Sequence, residues 1–155
     1  MQFINYFFAS LISFSGLLIG IIIIKTTPEE QKPLQKYFII LRKILLLMIF
    51  IFLFFYYFNN WFYFLTLLAY SAFLLFTECK MNDLFKKTII TYISLGILFF
   101  LSSKNTNLFA IESSLILLYG LPTASLIYNR KNKNHYKIIF YNIGFIIIAN
   151  LLFFI

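Results

Sequence analysis

The sequence predicts an all-α integral membrane protein, a bundle of six transmembrane helices with both termini outside, forming a single transmembrane domain over residues 1–155. Three observations predict it. Hydrophobic residues make up 62% of the chain and charged ones 12%, at a mean hydropathy of +0.90; soluble domains carry about 25% charged residues. Apolar runs recur at roughly 3–24, 38–58, 61–77, 88–103, 107–128 and 138–155, each near the length of about 20 residues that a helix needs to cross a bilayer. Of the 13 Lys and Arg residues, all but Lys104 fall in alternate connections. Lys25, Lys32, Lys36, Arg42 and Lys43 flank spans one and two; Lys80, Lys86 and Lys87 flank three and four; Arg130, Lys131, Lys133 and Lys137 flank five and six. By the positive-inside rule these connections are cytoplasmic.

The first span has no positive residue before it and no small-x-small cleavage pattern after it, which predicts a retained helix and not a signal peptide. Its Ala9, Ser13, Gly16 and Gly20 share one helical stripe, with Gly16 and Gly20 in GxxxG spacing. Such a stripe lets another backbone approach closely. Packing inside the bundle is the first expectation and a dimer seam the second.

Thr27-Pro28-Glu29-Glu30 reads as a capping box, with Thr27 at the N-cap, Pro28 at the first helical position and Glu30 returning to the Thr27 amide. Pro33 follows closely, so Thr27 to Lys36 is expected to be a rim helix bending into span two. Glu29 and Glu30 read first as first-turn acids opposite a helix dipole and second as contacts for a basic partner.

Span two lacks Gly and Pro and is expected to be the most lipid-exposed. Tyr56, Tyr57 and Trp61 around Asn59-Asn60 predict an aromatic belt at a tight hairpin. Spans four and five are likewise joined only by Lys104 to Asn107. Spans two and three, and four and five, are therefore antiparallel neighbours.

Glu112 is the one acid read inside an apolar run, about 7 Å below the outer end of span five by helical rise. A carboxylate at that depth is costly facing lipid, so it is expected to face the bundle or a hydrated pocket. Ser113 and Ser114 follow it and Lys104 lies in the turn above. Three roles compete: a structural group paired with Lys104 or capping the helix, a binder of a proton, cation or basic segment, and a catalytic acid or base. The last is least favoured, since His135, the one histidine, falls at the opposite membrane face. Lower in the same span, Ser113, Gly120 and Ala124 form a small-residue face, and Pro122 predicts a kink. In span six Asn142, Ile146 and Ala149 share a face and Asn150 adds an amide, which reads as interhelical hydrogen bonding.

The net charge of +8 sits at span edges without a basic recognition module, which argues against nucleic acid and for anionic lipid headgroups at the cytoplasmic connections. Cys79, the one cysteine, allows no intramolecular disulfide and lies at the basic rim. No catalytic, metal-binding or nucleotide-binding motif stands out, and no cofactor is expected.

The stretch Ser15-Gly16-Leu17-Leu18-Ile19-Gly20, through Pro28-Glu29-Glu30, to Lys36-Tyr37-Phe38 resembles a pattern in small uncharacterised archaeal membrane proteins, with Gln35 where those often have Gly. The resemblance covers about a sixth of the chain, from the later part of span one to the entry of span two. It implies a polytopic protein without assigned chemistry, in the cell membrane of a prokaryote. Tyr119 to Ser125 is similar to the Gly-Ser-x-Pro turns of membrane acyltransferases but lacks their Ser, so no activity is carried over. Expected functions are, in order, a non-catalytic accessory or scaffold subunit associating with other membrane proteins or with itself, a small transporter or channel using Glu112 and the kinked fifth span, and an intramembrane lipid enzyme.

Overall fold

The computed structural model describes residues 2–81, 83–128 and 135–154, and among them seven α-helices and one short 3-10 turn make up six spans. Helix α1 covers Phe3–Thr26, α2 Gln31–Tyr57, α3 Trp61–Lys80, α4 Leu84–Ser102, α5 Thr106–Ile127, α6 His135–Asn142 and α7 Gly144–Phe153. Each of the six spans is long and apolar enough to cross a membrane, with α6 and α7 together forming the sixth. The basic rim positions Arg130, Lys131 and Lys133, and the expected end of span six at residue 155, lie outside the described residues.

Small residues set the central packing. A methyl group at Gly16 would overlap the Leu117 backbone, one at Gly20 would press on Leu121 and Ala124, and one at Gly120 would strike the backbone of Gly16 and Leu17. Helices α1 and α5 therefore touch backbone to backbone, and because Gly16 meets Leu117 while Gly20 meets Leu121 and Ala124 they run parallel. The stripe is consumed inside the bundle. Gly96 of α4 gives α7 the same access at Phe145 and Ala149.

Polar side chains finish the helix ends. Asn60 accepts from Tyr63 N, Asp83 from Phe85 N and Lys86 N, and Asn105 from Asn107 N and Leu108 N, each filling amide groups that a helix N-terminus leaves unpaired. Gln31 Nε2 donates to the Ser125 and Tyr128 carbonyls at 2.8 Å each, tying the start of α2 to the end of α5.

The capping box does not form. Residues 28–30 make a single 3-10 turn, and the Thr27 hydroxyl donates back to the Ile23 carbonyl at 3.0 Å instead of capping forward. No separate rim helix bends at Pro33. Helix α2 runs unbroken from Gln31, with Pro33 in its first turn, where its missing N–H has no intrahelical partner to lose. Glu29 is exposed on the 3-10 turn, with Glu30 the residue after it.

Span two is not the most lipid-exposed. Of its apolar stretch 33% is buried, against 22% in α3 and in the sixth span, because α2 packs broadly on α5. Tyr57 departs from the aromatic belt: it is buried, and its hydroxyl donates to the Leu101 carbonyl at 2.9 Å. Tyr56 and Trp61 remain exposed at the hairpin. Helix α5 continues through Pro122 to Ile127. The sixth span is the interrupted one, at Ile143 between α6 and α7.

Candidate functional site

Two polar regions lie inside the bundle, stacked along α5. The first centres on Glu112. Its position follows from a layered register: Tyr6 of α1 meets Phe109 of α5 (5.6 Å between ring centres), Phe99 of α4 (5.1 Å) and Phe153 of α7 (4.6 Å), and its hydroxyl donates to the Ala149 carbonyl at 2.9 Å. One turn toward the basic side on the same inward faces come Ser10 of α1, Glu112 of α5 and Leu95 of α4, with Ser13 of α1 a further turn on beside Phe14, all buried. The next layer is Phe14 against Phe145 and Tyr92.

Glu112 is 0% exposed, and neither of its carboxyl oxygens has a hydrogen-bond partner. The expected inward orientation holds. The expected pairing with Lys104 does not, because the Lys104 ammonium sits over the Tyr63 ring, 4.9 Å from its centre. Nor does Glu112 cap α5; Asn105 does that.

Other buried oxygens, on α1 and α7, are also without partners. Ser13 Oγ is one, and Asn150 Oδ1 is another. Asn150 Nδ2 donates to Ser10 Oγ at 3.1 Å and to the Ile146 carbonyl at 2.8 Å, which bridges α7 to α1 at this level. Ser113 and Ser114, by contrast, turn their hydroxyls to the Phe109 and Ala110 carbonyls of their own helix. They do not contribute to the polar layer through those hydrogens.

The second region is a buried ion cluster that the sequence reading placed at the rim as topogenic charge. Arg42 of α2 is 2% exposed. Its Nη2 meets Glu78 Oε1 of α3 at 2.6 Å, Nε donates to the Tyr119 hydroxyl of α5 at 2.8 Å, and Nη1 to Thr88 Oγ1 of α4 at 3.3 Å. Lys87 of α4 lies 3.6 Å from Glu78 Oε2 and donates to the Glu78 backbone carbonyl at 2.6 Å. That carbonyl is in the last turn of α3, where it lacks an intrahelical donor. Glu112 is thus not the one charged residue inside the spans: Arg42, Glu78 and Lys87 are buried as well. Two cations share one carboxylate, and three helices are joined to α5 through Tyr119.

Between the two regions, the Tyr92 ring lies 6.0 Å from that of Tyr119, and the Tyr92 hydroxyl has no partner. Thr123 Oγ1 and Asn142 Oδ1 are likewise buried without partners. Asn142, expected to bond across helices, donates instead to the Ile138 carbonyl of its own helix at 2.7 Å, directly before the break at Ile143. Gly16, Gly20 and Gly120 belong to the α1–α5 contact, and Pro122 is buried beside it. Glu29 is exposed at the 3-10 turn, away from both regions. Cys79 is exposed next to Glu78. Among the described residues no three of His, Cys, Asp and Glu come together.

No family model, no curated protein and no solved structure matches the chain. The resemblance carried by Ser15 to Gly20, Pro28 to Glu30 and Lys36 to Phe38 stands on those residues alone.

Proposed function

We propose that this multi-pass membrane protein is a small transporter whose binding group for a cationic species is Glu112. One observation carries the reading: a carboxyl group with 0% exposure and no hydrogen-bond partner lies inside a helical bundle. Such a group costs folding free energy, since an unsatisfied buried polar group is penalised by about 1–3 kcal/mol and a charged one by more. A role that uses the carboxyl gives that cost a reason. A structural role does not, because no partner receives it.

Arg42, Glu78, Lys87 and Glu112 are buried inside the bundle, and the small-residue stripe is occupied by α5. Both favour transport through the interior over association through the surface. In this reading the basic connections face the cytoplasm and its anionic headgroups.

Flux tests it. The purified chain in liposomes of neutral and anionic phospholipid, under an imposed gradient of protons or of alkali chloride, is expected to carry one of them down its gradient. Glu112→Gln is expected to stop the flux with the helical circular dichroism unchanged. Equal flux in the two proteins refutes the proposal.

A second reading, an accessory subunit, is favoured by α3, which buries only Leu67, Leu74, Thr77 and Glu78 and turns Phe62, Leu65, Phe73 and Phe76 outward. Native mass measurement in mild detergent decides it. A partner of fixed stoichiometry, lost on Phe73→Ala, would move the assignment there.

A further inference from the structure

We propose that the cation Glu112 takes is the proton, held covalently on its carboxyl in a layer that offers no ligand shell to a metal ion. The inference rests on the transporter reading and names its substrate.

Its first support is the scarcity of free oxygens. Glu112 is 0% exposed, and both its carboxyl oxygens are without a partner among the described residues. The polar side chain that shares its layer, Ser10, is spent: its hydroxyl donates to the Phe7 carbonyl at 2.7 Å and accepts from Asn150 Nδ2 at 3.1 Å. Ser113 and Ser114 give their hydrogens to carbonyls of their own helix, and neither is buried. Ser13 lies a turn farther toward the basic side, beside Phe14, and Asn150 stands at the Tyr6 layer, next to the Ala149 carbonyl that takes the Tyr6 hydroxyl. A hard metal ion is held by about six oxygens. This layer brings two, both on one carboxyl. A proton needs one oxygen, and it leaves the group neutral, the form that a buried carboxyl without a counter-charge tolerates.

The second support is charge. The buried titratable side chains on the helices around Glu112 are Tyr6 on α1, Arg42 and Tyr57 on α2, Glu78 on α3, Lys87 and Tyr92 on α4, and Tyr119 on α5 with Tyr128 after it. Arg42 and Lys87 are held at Glu78 beside Tyr119, two turns from Glu112 along α5. Lys104 is drawn off over Tyr63. No side-chain cation is therefore placed to neutralise Glu112, and a bound proton does so.

The third support is the packing on either side. Tyr6, Phe99, Phe109 and Phe153 close the outer side, with ring centres 4.6–5.6 Å apart. Phe14, Tyr92 and Phe145 follow on the basic side at 6.2–6.4 Å. An alkali ion would shed its water between these layers and receive two oxygens in return. A proton moves by bond exchange: the O–H on Glu112 forms as that of the donor breaks, and it breaks again as an acceptor on the other side takes the proton. Nothing is oxidised or reduced.

Two measurements on the full chain in detergent test the assignment. A hydrophobic carbodiimide adds to the protonated carboxyl and is read by peptide mass. Glu112 is expected to be modified at one rate in sodium, potassium and choline chloride of equal ionic strength, and more slowly as pH rises. Infrared spectra at neutral pH are expected to show a protonated-carboxyl band that is the same in all three salts, is lost in Glu112→Gln and survives in Ser13→Ala. In liposomes with the membrane potential clamped, acidification of the lumen should fall to the protein-free rate in Glu112→Gln. If that variant fails to fold, modification and the infrared band of the unaltered chain still decide. Where the reagent does not reach Glu112, the band decides alone. Saturable slowing of modification by an alkali chloride, or a neutral-pH spectrum without the band, overturns the proton assignment and leaves transport of another cation standing. Flux of protons and of alkali ions that is equal with and without Glu112 overturns the transporter reading beneath it.

Discussion

Glu78→Leu is expected to destabilise the bundle severely. It removes the one carboxylate shared by Arg42 and Lys87, whose side chains are 2% and 10% exposed. Two cations are then left buried without a counter-charge, and breaking a buried pair from one side costs about 3–5 kcal/mol. Arg42→Met is milder. Glu78 keeps Lys87, and the loss is that of hydrogen bonds to a charged group, about 1.5–3 kcal/mol. The double variant Arg42→Met/Glu78→Leu leaves Lys87 alone near the end of α4, where its aliphatic stem can extend the ammonium toward the rim. It should therefore be more stable than Glu78→Leu alone, with a coupling on the order of 2 kcal/mol where independent sites add within about 0.5 kcal/mol. Equilibrium unfolding in mixed micelles, followed by circular dichroism, measures all four proteins. Additivity across the cycle, or a double variant less stable than either single one, would refute the view that the cluster acts as one buried ionic unit.

Glu112→Leu is expected to raise stability by about 1–3 kcal/mol in choline chloride, since it removes an unsatisfied buried group, while it abolishes flux; lower stability measured by the same unfolding assay would return Glu112 to a structural role. Gly16→Ala should cost about 1–3 kcal/mol because its methyl overlaps the Leu117 backbone, and Gly16→Leu should prevent folding, both read from melting temperature and monodispersity in detergent. Lys104→Ala should lose no more than about 1 kcal/mol, the value of a surface cation–π contact, and leave Glu112 modification unchanged; a changed modification rate would revive the Lys104 pairing. Cys79, exposed beside the basic rim, should react with an impermeant maleimide only after permeabilisation, while a cysteine placed at exposed Asn59 should react in intact cells; the reverse pattern would invert the topology.

The spans were legible in the sequence because lipid leaves the backbone one inexpensive solution, the helix that pairs its own polar groups, and Asn and Asp punctuate it. Asn60, Asp83 and Asn105 cap where short polar connections were read. The Gly16–Gly20 stripe was legible for a related reason, since two glycines one turn apart in an apolar span have few uses besides close packing. Inward burial of Glu112 followed from the cost of the alternative. What the sequence hid was tertiary. Thr27 spaces correctly from Glu30 for a capping box, but its hydroxyl is nearer the Ile23 carbonyl of the helix it ends. The break in span six had a local signal in Asn142-Ile143-Gly144, though the same residues fit a continuous helix that packs closely against Ile93.

Arg42, Glu78 and Lys87 were hidden because position along the chain is a poor guide to depth when helices differ in length. Helix α2 has 27 residues and α3 has 20, a difference of about 10 Å at 1.5 Å per residue. Hence Arg42, eleven residues into α2, lies level with Glu78 in the last turn of α3 and Lys87 in the first turn of α4. Counted from the ends of the apolar runs, Glu78 and Lys87 are flanking charges and Arg42 falls only just inside its run; counted from the turns that join the helices, Arg42 is deep and the other two are drawn inward to meet it. A basic residue near a span edge can therefore set orientation and also complete a buried ion cluster, and only a carboxylate on a neighbouring helix at matching depth separates the two cases. Glu78 is that carboxylate: it is buried between Arg42 and Lys87, whereas its neighbours Cys79 and Lys80, one and two residues on, are exposed.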